Sequence, residues 1–304
     1  MPDRLQLSYC DHHDFPLPAG HKFPLAKYRL LRDLLSSDTR FALRPADVAL
    51  REDLLTVHDP AYVDAFLNGT LEAPLIRRIG LPWSRQLVLR TLASVGSTLL
   101  AADSALRNGI AGTLAGGTHH AYRAEGSGFC VFNDLAIAIE VLRSRALIRR
   151  AAVIDLDVHQ GDGTAAIFAN DADTFTLSLH GARNFPFRKQ KGVLDIELQD
   201  ETSDEEYLAA LEPALQPIWT FRPDLVLFQS GVDALATDRL GRLALTLHGL
   251  GIRDRLVIEG ARSAGIPLAI TLGGGYSDPI EATVVAHAQT FQTAADIFCC
   301  DKSF

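Results

Sequence analysis

Apolar runs of strand length alternate with helix-length amphipathic stretches through most of this chain, and few folds accommodate that alternation. The runs are 114–116, 151–156, 174–179, 225–228 and 268–272; helical patterns cover 85–108, 134–147, 203–219 and 246–264. Such runs suit strands buried on both faces, and strand–helix alternation implies βαβ units. The reading is an α/β fold with a central parallel sheet and helices on both faces. At 304 residues and 47% hydrophobic the chain can bury one large core, and with no linker or repeat in view 1–304 reads as a single domain. Pro16, Pro18, Pro24, Pro45, Pro60 and Pro74 predict loops and short helices packed on one rim for the first 80 residues.

Composition removes several classes of function. A net charge of −8 argues against a nucleic-acid partner, which needs a basic stripe. The cluster Arg143, Arg145, Arg149 and Arg150 closes a helical run, where cations favour the C-terminal end. The acidic run 200–206 is expected to cap and start the helix carrying Tyr207, Leu208 and Leu211. No stretch approaches the roughly 20 apolar residues of a membrane helix. Met1-Pro2-Asp3-Arg4 shows no signal pattern, so a cytoplasmic location is expected. Cys10, Cys130, Cys299 and Cys300 lack zinc-finger spacing, and adjacent Cys299-Cys300 cannot easily bridge, which predicts reduced thiols.

Four polar segments follow strand-like runs: Gly116-Gly117-Thr118-His119-His120, Asp155-Leu156-Asp157-Val158-His159, Ser230-Gly231-Val232-Asp233 and Gly273-Gly274-Gly275-Tyr276. All four should surface along one sheet edge, where open α/β folds place their chemistry. On a strand, period-two geometry would send Asp155, Asp157 and His159 to one face. A salt-bridge network could explain them, but buried charge without a partner is costly and a metal site is the better reading. Asp233 is the candidate third ligand. A lone buried histidine is ordinary; adjacent His119 and His120 beside a metal site suggest proton transfer, with Asp155 and Asp162 as orienting carboxylates. The glycine run before Tyr276 has no Lys-Ser/Thr of the P-loop kind. Tyr276 is either packing or a phenolic donor to a developing oxyanion.

These segments, together with Gly128-Phe129-Cys130-Val131-Phe132-Asn133-Asp134 and Gln160-Gly161-Asp162-Gly163-Thr164, resemble the histone deacetylase superfamily with its arginase-like fold. The match runs from about Tyr9 to Ala286, and Asp238-Arg239-Leu240-Gly241 with His159-Gln160 looks most like class IV and its bacterial relatives. The resemblance implies that Asp157, His159 and Asp233 hold zinc, with iron(II) as the alternative. It implies His120 as general base, His119 as its electrostatic partner, and Tyr276 as the group polarising the amide carbonyl. Gly128, Phe129, Phe185, Leu240 and Gly274 would line the substrate channel. A structural potassium ion would lie near Asp155, Asp157, His159, Ser178 and Leu179. The stretch from His180 to Phe187 departs from the class I loop.

The implied reaction is removal of an acyl group from an acylated lysine in a peptide or protein, or from a small acylated amine. Three rivals compete with it. An arginase-like ureohydrolase would want Asp-x-His-x-Asp to bridge two metals, whereas the order here is Asp-x-Asp-x-His. An acetylpolyamine deacylase would want an acidic gatekeeper where Leu240 stands. A non-catalytic acyl-lysine binder would not need the full set of chemical residues.

Overall fold

The computed structural model describes residues 4–299. Eight strands run β1 Leu5–Tyr9, β2 Phe41–Pro45, β3 Ile110–Thr113, β4 Ala151–Asp155, β5 Thr174–Gly181, β6 Leu194–Leu198, β7 Leu225–Gln229 and β8 Leu268–Thr271. They form one sheet in the order β2-β1-β3-β8-β7-β4-β5-β6, and every pairing is parallel. The helices are α1 Ala26–Ser36, α2 Arg51–Leu54, α3 Pro60–Asn68, α4 Ala73–Ile79, α5 Arg85–Asn108, α6 Asp134–Ser144, α7 Asp162–Ile167, α8 Asp204–Phe221, α9 Leu247–Ala264 and α10 Glu281–Cys299.

Alternate residues of the central strands feed opposite layers. Ile154, Val226, Phe228 and Ile270 pack with α1, α8, α9 and α10, whereas Val153, Leu225, Leu227 and Ala269 pack with α5 and α6. Both faces are thus covered, as uninterrupted apolar strands require. Helix limits follow local chemistry. Ser84 accepts from Leu87 N to start α5, and Ser203 with Glu206 forms a capping box at α8, as the acidic run predicts. Arg143 closes α6 with ion pairs to Glu140 and Asp171.

The expectation for the N-terminal 80 residues needs correction. They contain short helices, but β1 and β2 also extend the sheet at one edge. The strand expected at 114–116 lies earlier, at Ile110–Thr113. Gly112 weakens its strand signal: a Cβ there would meet the Phe291 ring at 2.7 Å, so close packing demands glycine. β6, only partly buried along most of its length, likewise lacks a continuous apolar run. Cys300 lies outside the described residues.

Candidate active site

Strands β3, β8, β7 and β4 are consecutive in the sheet, so the segments that leave their C-terminal ends meet at one edge. Period-two pleating does not align Asp155, Asp157 and His159, because β4 ends at Asp155. Each carboxylate instead turns the chain by accepting from the backbone N–H two residues on: Asp155 Oδ1 from Asp157 N at 3.2 Å, then Asp157 Oδ1 from His159 N at 3.0 Å. These Asx-type turns bend the chain out of the sheet. Val158 N donates to Asp233 Oδ1 at 2.9 Å, fastening the turn to the segment after β7.

His159 Nδ1 lies 3.0 Å from both Asp157 Oδ1 and Asp233 Oδ2, and the three groups have ligand atoms within 4.8 Å of one another. Nitrogen and oxygen ligands at roughly 2.0–2.2 Å from tetrahedral zinc stand about 3.3–3.5 Å apart, so the cluster has the size for one small cation. Burial and the nearby Asp157 charge push the Asp233 carboxyl up to about 7. A divalent cation would remove that cost, so the donor set fits zinc or iron(II) in number, type and charge. Gly274 N donates to Asp157 Oδ2. A Cβ on Gly274 would fall 1.7 Å from Asp233 Oδ2. Gly274→Ala is therefore expected to displace that carboxylate and lower metal affinity by at least about tenfold. Zinc titration followed by calorimetry measures it, and affinity equal to the parent's would show that the loop can yield.

His119 and His120 are buried, with ring centroids 4.0 Å apart. Their Nδ1 atoms lie 2.6 Å from Asp155 Oδ2 and Asp162 Oδ1, respectively. Tyr122 also donates to Asp162, at 2.9 Å. Asp162 holds the proton of neutral His120 on Nδ1 and leaves its Nε2 as the basic nitrogen, while Asp155 accepts from Nδ1–H of His119. Burial, reinforced by the neighbouring His119, lowers the His120 pKa to about 4. Burial also opposes charge on His119, but Asp155 and Asp157 outweigh it and raise that ring to about 9. Adjacent imidazoles thus hold different protonation states at neutral pH.

Asp134 delivers this pair, a role with no separate signal in the motif. Its carboxylate accepts from Gly117 N at 3.0 Å, from Thr118 N at 2.7 Å and from the Thr118 and Thr98 hydroxyls. Lys27 is another residue that sequence reasoning misses. From α1 its ammonium donates to Gly273 O at 2.9 Å and lies 5.5 Å from the Tyr276 ring centroid. Burial draws the Lys27 pKa down to about 8. Tyr276 is anchored by its own N–H, which donates to Asp238 Oδ2 at 2.6 Å. Burial and the Asp157 and Asp233 charges raise the Tyr276 phenol well above its ordinary value, so it remains a donor.

A cleft of about 890 Å³ leads to these groups, walled in part by Gly128, Phe129, Phe185, Leu240 and Tyr276. A Cβ on Gly128 would come 2.6 Å from the His120 ring, and Phe129 holds a positive φ of 65°. The Phe185 ring stands edge-on to His120 at 4.9 Å between centroids. Gly274 does not line this cleft; it lines an inner cavity with Lys27, Tyr28 and Arg90. Ser178 stands in register beside Asp155, and its hydroxyl lies 2.9 Å from His180 Nδ1, while Leu179 is buried in the core.

A parallel α/β sheet with a buried Asp/His/Asp cluster, two carboxylate-held histidines and a tyrosine at its C-terminal edge holds the kinds of group that metal-assisted hydrolysis of an amide needs. Residues 21–291 match the histone deacetylase domain. The chain belongs to the histone deacetylase family, whose hydrolases are deacetylases and related amidohydrolases. It is 45% identical over 295 residues to an uncharacterized protein of Picosynechococcus sp., covering 94% of this chain and 98% of that one. It is 33% identical to the histone deacetylase-like amidohydrolase of Pseudomonas aeruginosa, over 86% of this chain and 74% of that one. A solved histone deacetylase homolog complexed with SAHA superposes with a TM-score of 0.80 at 25% identity, covering 97% of this chain and 88% of that one.

Proposed function

We propose that the protein is a zinc-dependent deacylase that cleaves the amide of an acylated lysine Nε and releases a carboxylate and a free amine. One observation carries this reading: the Asp157/His159/Asp233 cluster, His120 and Tyr276 converge where a cleft walled by Phe129 and Phe185 ends. Bound by that cluster, zinc would supply Lewis-acid polarisation of the acyl carbonyl and of the attacking water. His120 Nε2 takes the water proton as the carbon–oxygen bond forms. The Tyr276 hydroxyl donates to the carbonyl oxygen as it gains charge. His120 then returns the proton to the nitrogen as the carbon–nitrogen bond breaks, because an unprotonated amine leaves poorly. His119, held charged by Asp155, stabilises negative charge nearby. Phe129 and Phe185 flank the extended acyl-lysine stem, and Gly128 keeps the passage clear.

The reading includes class IV character, supported by the segments Asp238-Arg239-Leu240-Gly241 and His159-Gln160, while apolar Leu240 in the cleft wall disfavours an acetylpolyamine substrate. It also includes a structural potassium ion beside Asp155, supported by Ser178 in register across β5. Among the described residues one cluster of three potential ligands is found, which favours a single metal over the ureohydrolase pair.

Turnover of acyl-lysine peptides of increasing acyl length, with acetylpolyamines alongside, tests the reading. Failure of the metal-loaded protein to hydrolyse any acyl-lysine compound would sink it. Tyr276→Phe keeps the ring and its packing while removing the donor. It is expected to lower kcat and kcat/KM together by about 10²–10³, with folding and metal content near those of the parent. Parent-level turnover, or loss through unfolding alone, would assign Tyr276 to packing.

A further inference from the structure

We propose, building on the deacylase reading, that the substrate lysine sits in an acidic segment, with Asp or Glu beside the acylated residue. The chain as a whole is acidic, with 37 Asp and Glu against 29 Lys and Arg, yet the cleft mouth reverses that sign. Arg78, Arg183, Arg188 and Arg242 all line it. They come from three separate parts of the chain, Arg183 and Arg188 sharing one segment, and only the fold gathers them.

The acids nearby do not cancel these charges. Asp162, the one acidic residue lining the cleft among those described, accepts from His120 and Tyr122 and sets a single negative charge against the four guanidinium groups. A single carboxylate, Asp200, lies 3.7 Å from Arg183 and 3.2 Å from Arg242. Glu125 pairs with Arg78, but Arg188 has no ion-pair partner among the described residues. The segment from Arg183 to Lys191 also carries Arg188 and Lys189 and contains no acid. Lys189 fastens it by donating to Asn184 O at 2.6 Å and Pro186 O at 2.8 Å. The mouth is therefore a held cationic rim.

Arg183 is 74% exposed, and Phe187 on the same segment is 88% exposed. Guanidinium groups beside an exposed ring suit a peptide that offers carboxylates and apolar contact together. A concave mouth focuses its potential, and like charge is disfavoured there. Lysine-rich tails and acetylpolyamines, both cationic, would meet repulsion. The acyl group itself enters the cleft first, so the rim reads what carries the amine.

The test uses the full-length, metal-loaded protein and three peptides presenting one acyl-lysine between Asp/Glu, Gly/Ser or Lys/Arg flanks. Expected kcat/KM falls in that order, by about tenfold from acidic to neutral flanks at low salt, chiefly through KM. The spread should shrink toward unity near about 0.5 M salt, where screening acts within a few ångströms. Arg188→Glu should compress or invert the order. Equal kcat/KM across flanks, with turnover intact, overturns the acidic-segment inference and leaves the deacylase reading standing. No turnover of any acyl-lysine compound overturns both. An acidic preference unchanged in both Arg183→Glu and Arg188→Glu also overturns it, as does inhibition by a single-stranded oligonucleotide but not by an acidic peptide.

Discussion

Asp233→Asn is expected to lose metal binding and turnover together while the metal-free protein folds as before. The side-chain oxygen that accepts from Val158 N at 2.9 Å survives this change, so the turn keeps its buried hydrogen bond. What disappears is one of two carboxylates crowded around His159 Nδ1. Burial opposes charge on His159, but Asp157 and Asp233 outweigh it and raise that ring to about 10. In metal-free protein it is therefore the cation between them, and Asp233→Asn should lower the metal-free melting temperature modestly. Metal affinity should fall beyond the roughly 10–100-fold typical of changes to groups that merely support a ligand. Asp233→Ala adds the loss of the Val158 bond, about 1–3 kcal/mol of stability. Metal analysis, melting curves and turnover of the same preparations separate these effects. Full metal content in Asp233→Asn with parent activity would remove Asp233 from the ligand set.

His120→Ala should retain metal and lose about 10²–10⁴ in turnover, the usual worth of a general base. His119→Ala should cost less, because a charged ring held by Asp155 contributes through its field rather than by moving the proton. The pH profile distinguishes them further. His120 sits at about 4, partly because of the adjacent His119, so the base is unprotonated well below the ordinary imidazole range. Removing His119 removes that positive neighbour, and the acidic limb of kcat/KM should move to higher pH. Equal, negligible losses from both substitutions would make the pair structural, and an unmoved limb would deny their coupling.

Much of this protein is determined within short stretches of sequence. The limits of α5 and the start of α8 follow from apolar periodicity, Ser84 and the Ser203/Glu206 box, all interactions within a turn or two of helix. The four polar segments can be read as a metal and proton-transfer set because each follows a buried strand. Their residue types have few cheap structural uses. The parallel sheet then places them along one edge.

Tertiary structure alone decided the rest. Asp155, Asp157 and His159 converge through side-chain turns beyond β4, where strand periodicity no longer applies. Partly exposed β2 and β6 lack the apolar runs that mark central strands. Lys27 reaches Gly273 across 246 positions, and Arg78 meets Arg183, Arg188 and Arg242 around one opening. Periodicity and capping record neighbours within a few residues. Which distant loops share a sheet edge, and which charges they bring together, is settled by packing two apolar layers against one sheet.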